Sequence, residues 1–187
     1  MSLQTSADDA AAVRTESNPP VTTSDQVAFE DSFTRHYSRV YQVLFRLTGN
    51  RAEAEDLALE TFWRLWQRAP AMPNPAAWLY RVATNLGYNA LRATRRRTHY
   101  EDAAAQLAWL SQAGPDPVRA AEQASERAHV QATLGRLRSR DAQILVLRHS
   151  GLSYREIADA LGVSPNSVGA LLARAEKEFE KHYAALE

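Results

Sequence analysis

The stretch LRSRDAQILVLRHSGLSYREIADALGVSPNSV, residues 137–168, decides the fold class of the second half of the chain. Its apolar residues recur at helical spacing, and two turn signals divide the stretch into consecutive helices. Gly151 ends a helix that runs from Leu137 to Ser150, and Gly162-Val163 ends a second one. The stretch therefore predicts three short helices joined by tight turns.

The second and third of these helices carry the features of a helix-turn-helix. Ser153 and Glu156 form a capping-box pattern at the start of the second helix, and Ser164-Pro165 opens the third. Three packing features of the motif are also present, namely a small residue at the crossing (Ala158), a glycine in the turn (Gly162) and an apolar plug (Val168). We predict that the helix from Pro165 enters the major groove of DNA, with a generic helical hairpin as the alternative.

A second distinctive segment, residues 61–98, combines arginines with aromatic residues and contains no Asp or Glu. Its seven arginines are Arg64, Arg68, Arg81, Arg92, Arg95, Arg96 and Arg97, and interleaved with them are Trp63, Trp66, Trp78, Tyr80 and Tyr88. Arginines neutralise phosphates, and flat rings stack on unpaired bases at about 1–3 kcal/mol per base. We interpret the segment as a surface for a nucleic-acid strand. The alternative is a helical hairpin with buried aromatic residues and a solvated basic face.

The first half of the chain shows helical periodicity before this segment. From Phe29 to Leu47 the apolar residues alternate steps of three and four, and Thr48-Gly49-Asn50 closes that helix. Asn50 caps the next helix, where Glu53 is placed to complete a capping box. The sequence therefore predicts two consecutive helices here.

The polar face of the second of these helices includes a tryptophan. Its apolar face comprises Leu57, Thr61, Phe62, Leu65 and Trp66, and its opposite face comprises Asp56, Glu60, Trp63, Arg64 and Gln67. Protein interfaces favour a central Trp or Arg surrounded by polar groups. We therefore predict that Trp63 is exposed and anchors a partner, with a core tryptophan as the alternative.

A third helix starts at Asn74-Pro75 by the cap-then-proline rule. Poor helix formers at residues 85–89 (Asn-Leu-Gly-Tyr-Asn) interrupt its apolar stripe, so we expect a bend or loop there. Asn side chains offer both a donor and an acceptor for a base edge, and Tyr88 is suited to stack on the base.

Composition restricts the class of protein. The 187 residues carry no net charge and are rich in good helix formers, so we expect an all-α chain. The absence of cysteine excludes disulfides and thiolate chemistry, and the five histidines lie outside metal-ligand spacings, so we expect no cofactor. No segment has the apolar length of a signal peptide or a membrane span, so we expect a cytoplasmic protein.

The same patterns divide the chain into two small helical domains. Residues 1–24 have no apolar period and are predicted to be a disordered tail. Residues 25–99 form the first domain, and residues 100–125, centred on Gly-Pro-Asp-Pro, form a flexible linker. Residues 126–187 form the second domain, entered through a helix that begins at Pro117 and runs to about Leu137.

Three motifs together resemble a known family. They are AEDLALETFWRLWQR (Ala54–Arg68), WLYRVATNLGYNALR (Trp78–Arg92) and the helix-turn-helix stretch quoted above. In order, spacing and linker they are similar to the bacterial RNA polymerase sigma factors of the extracytoplasmic-function type, the two-domain group of the sigma-70 family. The resemblance covers roughly residues 29–183 and implies a transcription initiation factor.

By this resemblance the first domain is sigma region two, which docks on the clamp helices of the polymerase's largest subunit. The face assigned to that contact comprises Asp56, Glu60, Trp63, Arg64 and Gln67. The following segment would open the minus-ten promoter element and flip one non-template base into a pocket lined by the expected loop. The residues assigned to minus-ten DNA are Trp78, Arg81, Asn85, Leu86, Gly87, Tyr88, Asn89, Arg92, Arg95, Arg96 and Arg97.

The second domain resembles sigma region four, which reads the minus-thirty-five element and touches the polymerase flap. The residues assigned to this DNA are Arg155, Ser164, Asn166, Ser167, Gly169, Ala170, Arg174 and Lys177. The recognition helix departs from the family, because Gly169, Leu171 and Glu176 stand where basic residues are usual and Ala170 where serine is usual. Each lost base contact forfeits about 1–3 kcal/mol of discrimination, so we predict weak or unusual recognition of this element.

The partners implied by the resemblance are core RNA polymerase and promoter DNA. Anti-sigma factors commonly restrain family members by covering the same faces, and the sequence leaves open whether one acts on this chain. The depleted recognition helix also leaves open a role for another DNA-bound factor that recruits this protein.

Two other function classes explain parts of the sequence. A stand-alone helix-turn-helix transcriptional regulator accounts for residues 137–187 but gives the arginine and aromatic segment no role. A nucleic-acid-processing enzyme needs a metal or nucleophile constellation, and the acidic residues near the basic segment have a spacing better suited to a protein interface. A regulator binds duplex DNA alone, whereas a sigma factor binds promoter DNA firmly only with core polymerase.

Overall fold

The computed structural model describes residues 22–68, 72–100 and 117–186, with the side chains of residues 97–100 and 117–121 outside that description. Within these ranges all regular structure is helical, which confirms the all-α prediction. The helices are α1 (Thr23–Thr48), α2 (Arg51–Arg68), α3 (Pro75–Tyr100), α4 (Pro117–Leu134), α5 (Ser139–His149), α6 (Tyr154–Leu161) and α7 (Pro165–Ala184). None of these described helices is long and apolar enough to cross a membrane.

Helices α1, α2 and α3 pack together as an N-terminal bundle. Phe62 of α2 is only 1% exposed, and its ring meets the ring of Phe33 from α1 at a centroid distance of 4.9 Å. The fully buried side chains around it include Val40, Leu44, Leu47, Leu65 and Leu79. The predicted division of α2 into an apolar and a polar face is confirmed, because Thr61, Phe62 and Leu65 are buried.

Helices α4 to α7 form a C-terminal bundle that contains the helix-turn-helix. Ser153 and Glu156 make the predicted capping box, and Gly162 adopts a left-handed φ of 66° in the turn. Ala158 and Val168 are buried as the motif requires. These features confirm the predicted geometry of the motif.

Several predicted helix ends differ in detail from the structure. Helix α1 starts at Thr23, inside the predicted tail, because Thr22 and Asp25 form a capping box. At the start of α2 the capping box is incomplete. The N–H of Glu53 donates to Asn50 Oδ1 at 3.1 Å, whereas the N–H of Asn50 donates to Thr48 Oγ1 rather than to Glu53.

The other predicted boundaries concern the ends of α4 and α5, the N-terminal tail and the linker, and some of these residues lie outside the part of the chain that the structure describes. Helix α4 ends at Leu134 rather than near Leu137, and α5 begins at Ser139. Residues 1–21 of the predicted tail and residues 101–116 of the predicted linker lie outside the described residues. The predicted start of a helix at Pro117 is confirmed.

The prediction of a bend or loop at residues 85–89 is wrong, because α3 is one continuous helix through this segment. The physical reason is the packing of Gly87 against α1. A methyl group at Gly87 would lie 2.7 Å from Leu47 Cδ1 and 3.2 Å from Leu44 Cδ2. The glycine therefore permits a close approach of two helices and does not introduce a bend.

This packing predicts that Gly87→Ala destabilises the protein despite the better helix propensity of alanine. Overpacking a filled core costs about 1–3 kcal/mol, while removing a helical glycine returns about 1 kcal/mol. The matched control is Gly169→Ala in α7, where a methyl group would lie 3.7 Å from Tyr154 Cε2, an ordinary contact. Urea unfolding should show Gly87→Ala below wild type and Gly169→Ala at or above it. Equal stability of the two variants would contradict this account of Gly87.

The two bundles lie against each other. Helix α3 packs on α5 and α6, and α1 contacts α4 and α5. The residues that the sequence assigned to minus-ten DNA are on α3, so this interface bears directly on the candidate site.

Candidate nucleic-acid and protein interfaces

The outer face of α2 is a polar surface with an apolar centre. Trp63 is 58% exposed, which confirms the prediction that it lies on the polar side. Asp56, Arg64 and Gln67 are exposed beside it, and Glu60 pairs with Arg64 across one helical turn. A large exposed ring surrounded by polar groups matches the usual composition of a protein interface.

Leu59 belongs to the same face and was missed by the sequence reasoning. It is 49% exposed and lies one helical turn before Trp63. The signal was available in the sequence, because position 59 falls between Asp56 and Trp63 on the helical period of that face. Leu59 and Trp63 together give the α2 face its apolar centre.

Helix α3 presents a row of exposed cations and amides along one side. The row follows steps of four, four, three and four residues, so its members share one helical face. It comprises Arg81, Asn85, Asn89, Arg92 and Arg96, which are all exposed. We call this row the α3 stripe. Cations placed next to side-chain amides suit a strand whose phosphates and base edges are both accessible.

The other predicted minus-ten residues are not members of this exposed row. Trp78 is partly buried against the bundle core, Leu86 is partly buried, and Gly87 is buried. Arg95 is exposed and donates to the carbonyl oxygen of Gly135 at 2.5 Å. Arg97 is within α3, but its side chain lies outside the described residues.

Tyr88 is turned into the protein in this structure. Its side chain is 6% exposed, and its hydroxyl donates to the carbonyl oxygen of Leu137 at 2.8 Å. Burial raises the pKa of Tyr88 above its ordinary value, so the hydroxyl stays protonated and remains a donor. The predicted stack of Tyr88 on a base requires a different arrangement of the two bundles from the one seen here.

Part of the α3 stripe is hydrogen-bonded to the C-terminal bundle. Gln143 Nε2 of α5 donates to Asn85 Oδ1 at 2.8 Å. Arg81 donates from Nε to the carbonyl oxygen of Ala160 at 2.8 Å and from a terminal nitrogen to that of Asp159 at 3.0 Å. Two of the five stripe residues are therefore engaged inside the chain.

Gln143 was another residue that the sequence reasoning missed. It is 8% exposed and lies inside an otherwise apolar run from Ala142 to Leu147. A buried amide needs a hydrogen-bond partner, so a polar residue in such a run was a usable signal. Its partner, Asn85, is 58 positions away along the chain and could not be identified from the sequence.

A charged cluster lies where α1, α3 and α6 meet. Arg39 forms an ion pair with Glu156 at 3.4 Å, and His36 Nδ1 lies 3.2 Å from the hydroxyl oxygen of Tyr80. Hydrogen bonds from Ser153 lower the pKa of Glu156, which keeps that carboxylate charged. Burial, together with the positive charges of Arg39 and Arg35, lowers the pKa of His36 below its ordinary value of 6.5.

The lowered pKa of His36 predicts a loss of stability in mild acid. The unfolded chain takes up the proton at a higher pH than the folded chain. The stabilising contribution of neutral His36 is therefore complete above about pH 6.5 and is lost as the pH falls through the folded pKa. Urea unfolding at about pH 7.5 and about pH 5 should show a larger drop for wild type than for His36→Asn. Equal drops in the two proteins would contradict this assignment.

The residues assigned to minus-thirty-five DNA extend along helix α7 from its N-terminal end to Lys177. Asn166, Ser167, Ala170 and Lys177 are exposed, and Gly169 is half-buried. Ser164 and Arg155 are also exposed, at the starts of α7 and α6. The structure therefore places the predicted duplex-reading residues on the surface of the helix-turn-helix.

Arg174 has a structural contact in addition to its predicted role. Its guanidinium lies 3.2 Å from Asp141 Oδ1, and Asp141 is 4% exposed. A buried carboxylate needs a charged or hydrogen-bonding partner. Arg174 thus joins α7 to α5.

The family comparisons match both halves of the chain. The model described as Sigma-70 region 2 matches residues 33–97, and the one described as Sigma-70, region 4 matches residues 127–179. These ranges cover the N-terminal bundle from within α1 to within α3 and most of the C-terminal bundle.

Curated relatives show the same similarity. The chain is 35% identical to the RNA polymerase sigma factor CarQ of Myxococcus xanthus, with 83% of this chain and 87% of CarQ covered. It is 31% identical to the ECF RNA polymerase sigma factor SigE of Mycolicibacterium smegmatis, with 87% of this chain covered. The matched part of the chain spans 65% of the length of SigE.

A solved structure shows a similar fold. CnrH, determined in complex with the cytosolic domain of CnrY, has a TM-score of 0.51 and 24% identity to this chain. The similarity covers 86% of this chain and 90% of CnrH. At this identity the comparison supports the fold.

Proposed function

Because the chain belongs to the extracytoplasmic-function group of the sigma-70 family, we propose that it binds core RNA polymerase and directs promoter recognition and opening. The observation that carries the proposal is the α3 stripe, which places cations and amides on one side of a helix in the region 2 match. The polymerase supplies the chemistry and its magnesium, so this chain acts without a cofactor of its own. We propose that it acts beside the polymerase in the bacterial cytoplasm.

The α2 face is the proposed contact for the clamp helices of the polymerase's largest subunit. Trp63 and Leu59 supply an apolar centre that loses water on docking, and this loss favours association. The surrounding polar residues, Asp56, Glu60, Arg64 and Gln67, fix the orientation of the complex. Exposed ion pairs such as Arg64 with Glu60 contribute little affinity by themselves. We therefore expect the ring of Trp63 to contribute most of the affinity.

The α3 stripe is the proposed contact for the non-template strand of the minus-ten element. Arg92 and Arg96 neutralise phosphates, and Asn85 and Asn89 offer donors and acceptors to a base edge. Extruding one base from the duplex costs a few kcal/mol, which edge hydrogen bonds and stacking offset. Opening is therefore expected to depend on the sequence of the minus-ten element.

The helix-turn-helix is the proposed contact for the minus-thirty-five element and the polymerase flap. Its recognition helix has Gly169 and Ala170 at exposed or half-buried positions where longer side chains read base edges. We propose that this contact is weak and that α3 carries more of the specificity. A DNA-bound recruiting factor and an anti-sigma factor are further proposed partners.

This proposal predicts that Gly169→Arg strengthens upstream recognition. The new Cβ has room beside Tyr154, and a guanidinium at this position adds a phosphate or base contact. The affinity of the polymerase complex for promoter DNA should rise by roughly 5- to 150-fold, or about 1–3 kcal/mol. Gly169→Ala, which improves the helix without adding charge, is the control. An unchanged affinity for Gly169→Arg would mean that this face does not reach the duplex.

Run-off transcription from a promoter library tests the proposed function directly. Core RNA polymerase with the purified chain should produce transcripts from a subset of promoters that share a minus-ten sequence. Core polymerase alone and the chain alone should produce none. A chain that shifts duplex DNA by itself and leaves core polymerase inactive would instead be a stand-alone regulator.

A further inference from the structure

Exposed arginines of α3 and of the turn that follows α4 come together at the junction of the two bundles. Arg92 and Arg96 are exposed near the end of α3, and Arg136 and Arg138 are exposed in the turn. We call these four residues the arginine patch. We propose that the arginine patch binds a linear oligophosphate, free or carried by a nucleoside, as a ligand separate from promoter DNA.

Two hydrogen bonds place the turn against α3. Arg95 donates to the carbonyl oxygen of Gly135 at 2.5 Å, and the hydroxyl of Tyr88 donates to that of Leu137 at 2.8 Å. Arg136 lies between these two points, so its backbone is held beside α3. Gly135 and Leu137 are buried whereas Arg136 is exposed, so the turn packs its neighbours inward and leaves this guanidinium in solvent.

The arginines of α3 lie in the same neighbourhood. Burial raises the pKa of Tyr88, and the positive charges of Arg92 and Arg95 partly oppose that rise. Both charges therefore lie near the hydroxyl that contacts the turn. Arg96 follows Arg92 one helical turn later on the exposed side of α3. The patch thus combines charges from both bundles in one region of the surface.

Acidic side chains are missing from both contributing segments. Residues 85–100 and 127–140 contain no Asp or Glu, although the whole chain carries no net charge. Within the part of the chain that the structure describes, no ion pair involves a residue of the arginine patch. Asp141, just beyond the turn, is 4% exposed and pairs with Arg174. The described residues therefore leave the charge of the patch uncompensated.

The position of Arg138 is not explained by the stability of its own helix. It is the N-cap residue of α5, and its side chain makes no capping hydrogen bond. Helices favour Ser, Thr, Asp or Asn at this position, and the helix dipole disfavours a cation there. A residue that departs from a local rule without a structural gain is a candidate for a binding role.

Guanidinium groups favour phosphate as the ligand, because their paired N–H donors match phosphate oxygens. A nucleic-acid strand also needs exposed rings on which its bases stack. Tyr88 does not provide one here, since it is 6% exposed and its hydroxyl is bonded to the turn. An anion made of linked phosphates needs only the guanidinium groups, so it fits the patch better than a strand does.

The inference rests on the proposed function at one point, because Arg92 and Arg96 are also assigned to the minus-ten strand. A bound oligophosphate would occupy these two side chains and compete with the phosphates of that strand. The concentration of the ligand would then limit promoter opening. Binding of the ligand itself depends only on the patch and can be measured without polymerase.

Isothermal titration calorimetry of the full chain with inorganic tripolyphosphate and with ATP, at about 0.1 M ionic strength, tests the proposal. Wild type should bind tripolyphosphate, and the double variant Arg136→Glu with Arg138→Glu should bind it roughly tenfold more weakly or less. Similar affinities for the two ligands would show that the phosphates alone are recognised, and tighter binding of ATP would show that the nucleoside also contributes. Either result supports the proposal.

The matched control is the double variant Arg35→Glu with Lys181→Glu. It changes the net charge by the same amount, and its two exposed positions lie on α1 and α7, outside the arginine patch. Its affinity for tripolyphosphate should stay close to that of wild type. An equal loss in both double variants would show only general attraction between charges and would overturn the proposal.

Three further results separate the two proposals. Absence of tripolyphosphate and ATP binding, with normal run-off transcription, would overturn the arginine patch and keep the proposed function. Normal binding without transcription would overturn the proposed function and keep the patch. Tighter binding of a short oligothymidine than of tripolyphosphate, lost in the patch variant, would assign these arginines to a strand and overturn the oligophosphate ligand. Circular dichroism checks folding, and each single patch variant carries the test if the double variant unfolds.

Discussion

Replacing Trp63 with alanine lowers the affinity of the chain for core RNA polymerase by roughly 30- to 1,000-fold, or about 2–4 kcal/mol. This size is typical of a large ring at the centre of an interface, where polar neighbours exclude water. Trp63 is 58% exposed in the free chain, so its removal leaves the core of the N-terminal bundle intact. Titration of core polymerase with fluorescently labelled chain measures the affinity.

The matched control for this variant is Val27→Ala. Val27 is an apolar residue of α1 with 61% exposure, and it is outside the α2 face. Its replacement should change neither affinity nor stability, because surface substitutions away from special features have effects within about 0.5 kcal/mol. A Trp63→Ala variant that binds polymerase as tightly as Val27→Ala would show that the α2 face is not the polymerase contact.

Replacing Asn85 and Asn89 together with alanine abolishes most promoter opening while leaving polymerase binding unchanged. Each lost edge contact costs about 1–3 kcal/mol, so the pair should lower opening by roughly 30-fold or more. Both residues are exposed on α3, so their truncation leaves the bundle core unchanged. The fluorescence of 2-aminopurine placed in the minus-ten element reports the opening.

Gln42→Ala is the control for the asparagine variants. Gln42 is an exposed amide on α1 that lies outside the α3 stripe, and its loss should leave opening unchanged. The asparagine variant also removes the hydrogen-bond partner of Gln143. Full promoter opening by the double asparagine variant would show that the amides do not hold the extruded base.

Local sequence patterns predicted the features of the fold that depend on neighbouring residues. The capping box of Ser153 with Glu156 and the turn at Gly162 involve groups within a few positions of each other. The exposed side of α2 followed from the helical period, because the alternative of a buried Trp63 conflicts with the apolar residues on the opposite face. In each case the determining interactions lie within one helix or one turn.

The expected loop at residues 85–89 was wrong for a reason that lies outside the segment. Low helix propensity favoured an interruption, but the side chain that determines the role of Gly87 is Leu47, far earlier in the chain. Tertiary packing decides such cases over intrinsic propensity. Gly87 is required because α1 packs closely against it, and the sequence around Gly87 does not specify where α1 lies.

The residue types of the candidate site could be predicted from the sequence, but the long-range contacts of these residues could not. The arginines and amides of α3 were identified from the sequence, and the assignment of these residues to minus-ten DNA stays a prediction. The pairing of Asn85 with Gln143 and of Arg174 with Asp141 joins residues that no local pattern relates. Such contacts depend on how the helices are arranged in space.

The most direct measurement of the central claim is the permanganate reactivity of minus-ten thymines on a linear promoter. Core RNA polymerase and this chain together should make thymines of the non-template strand reactive, because in the proposed function the α3 stripe holds that strand unpaired. The same promoter should stay unreactive with either component alone. Thymines that stay paired in the presence of both, on a promoter that the complex binds, would contradict the account.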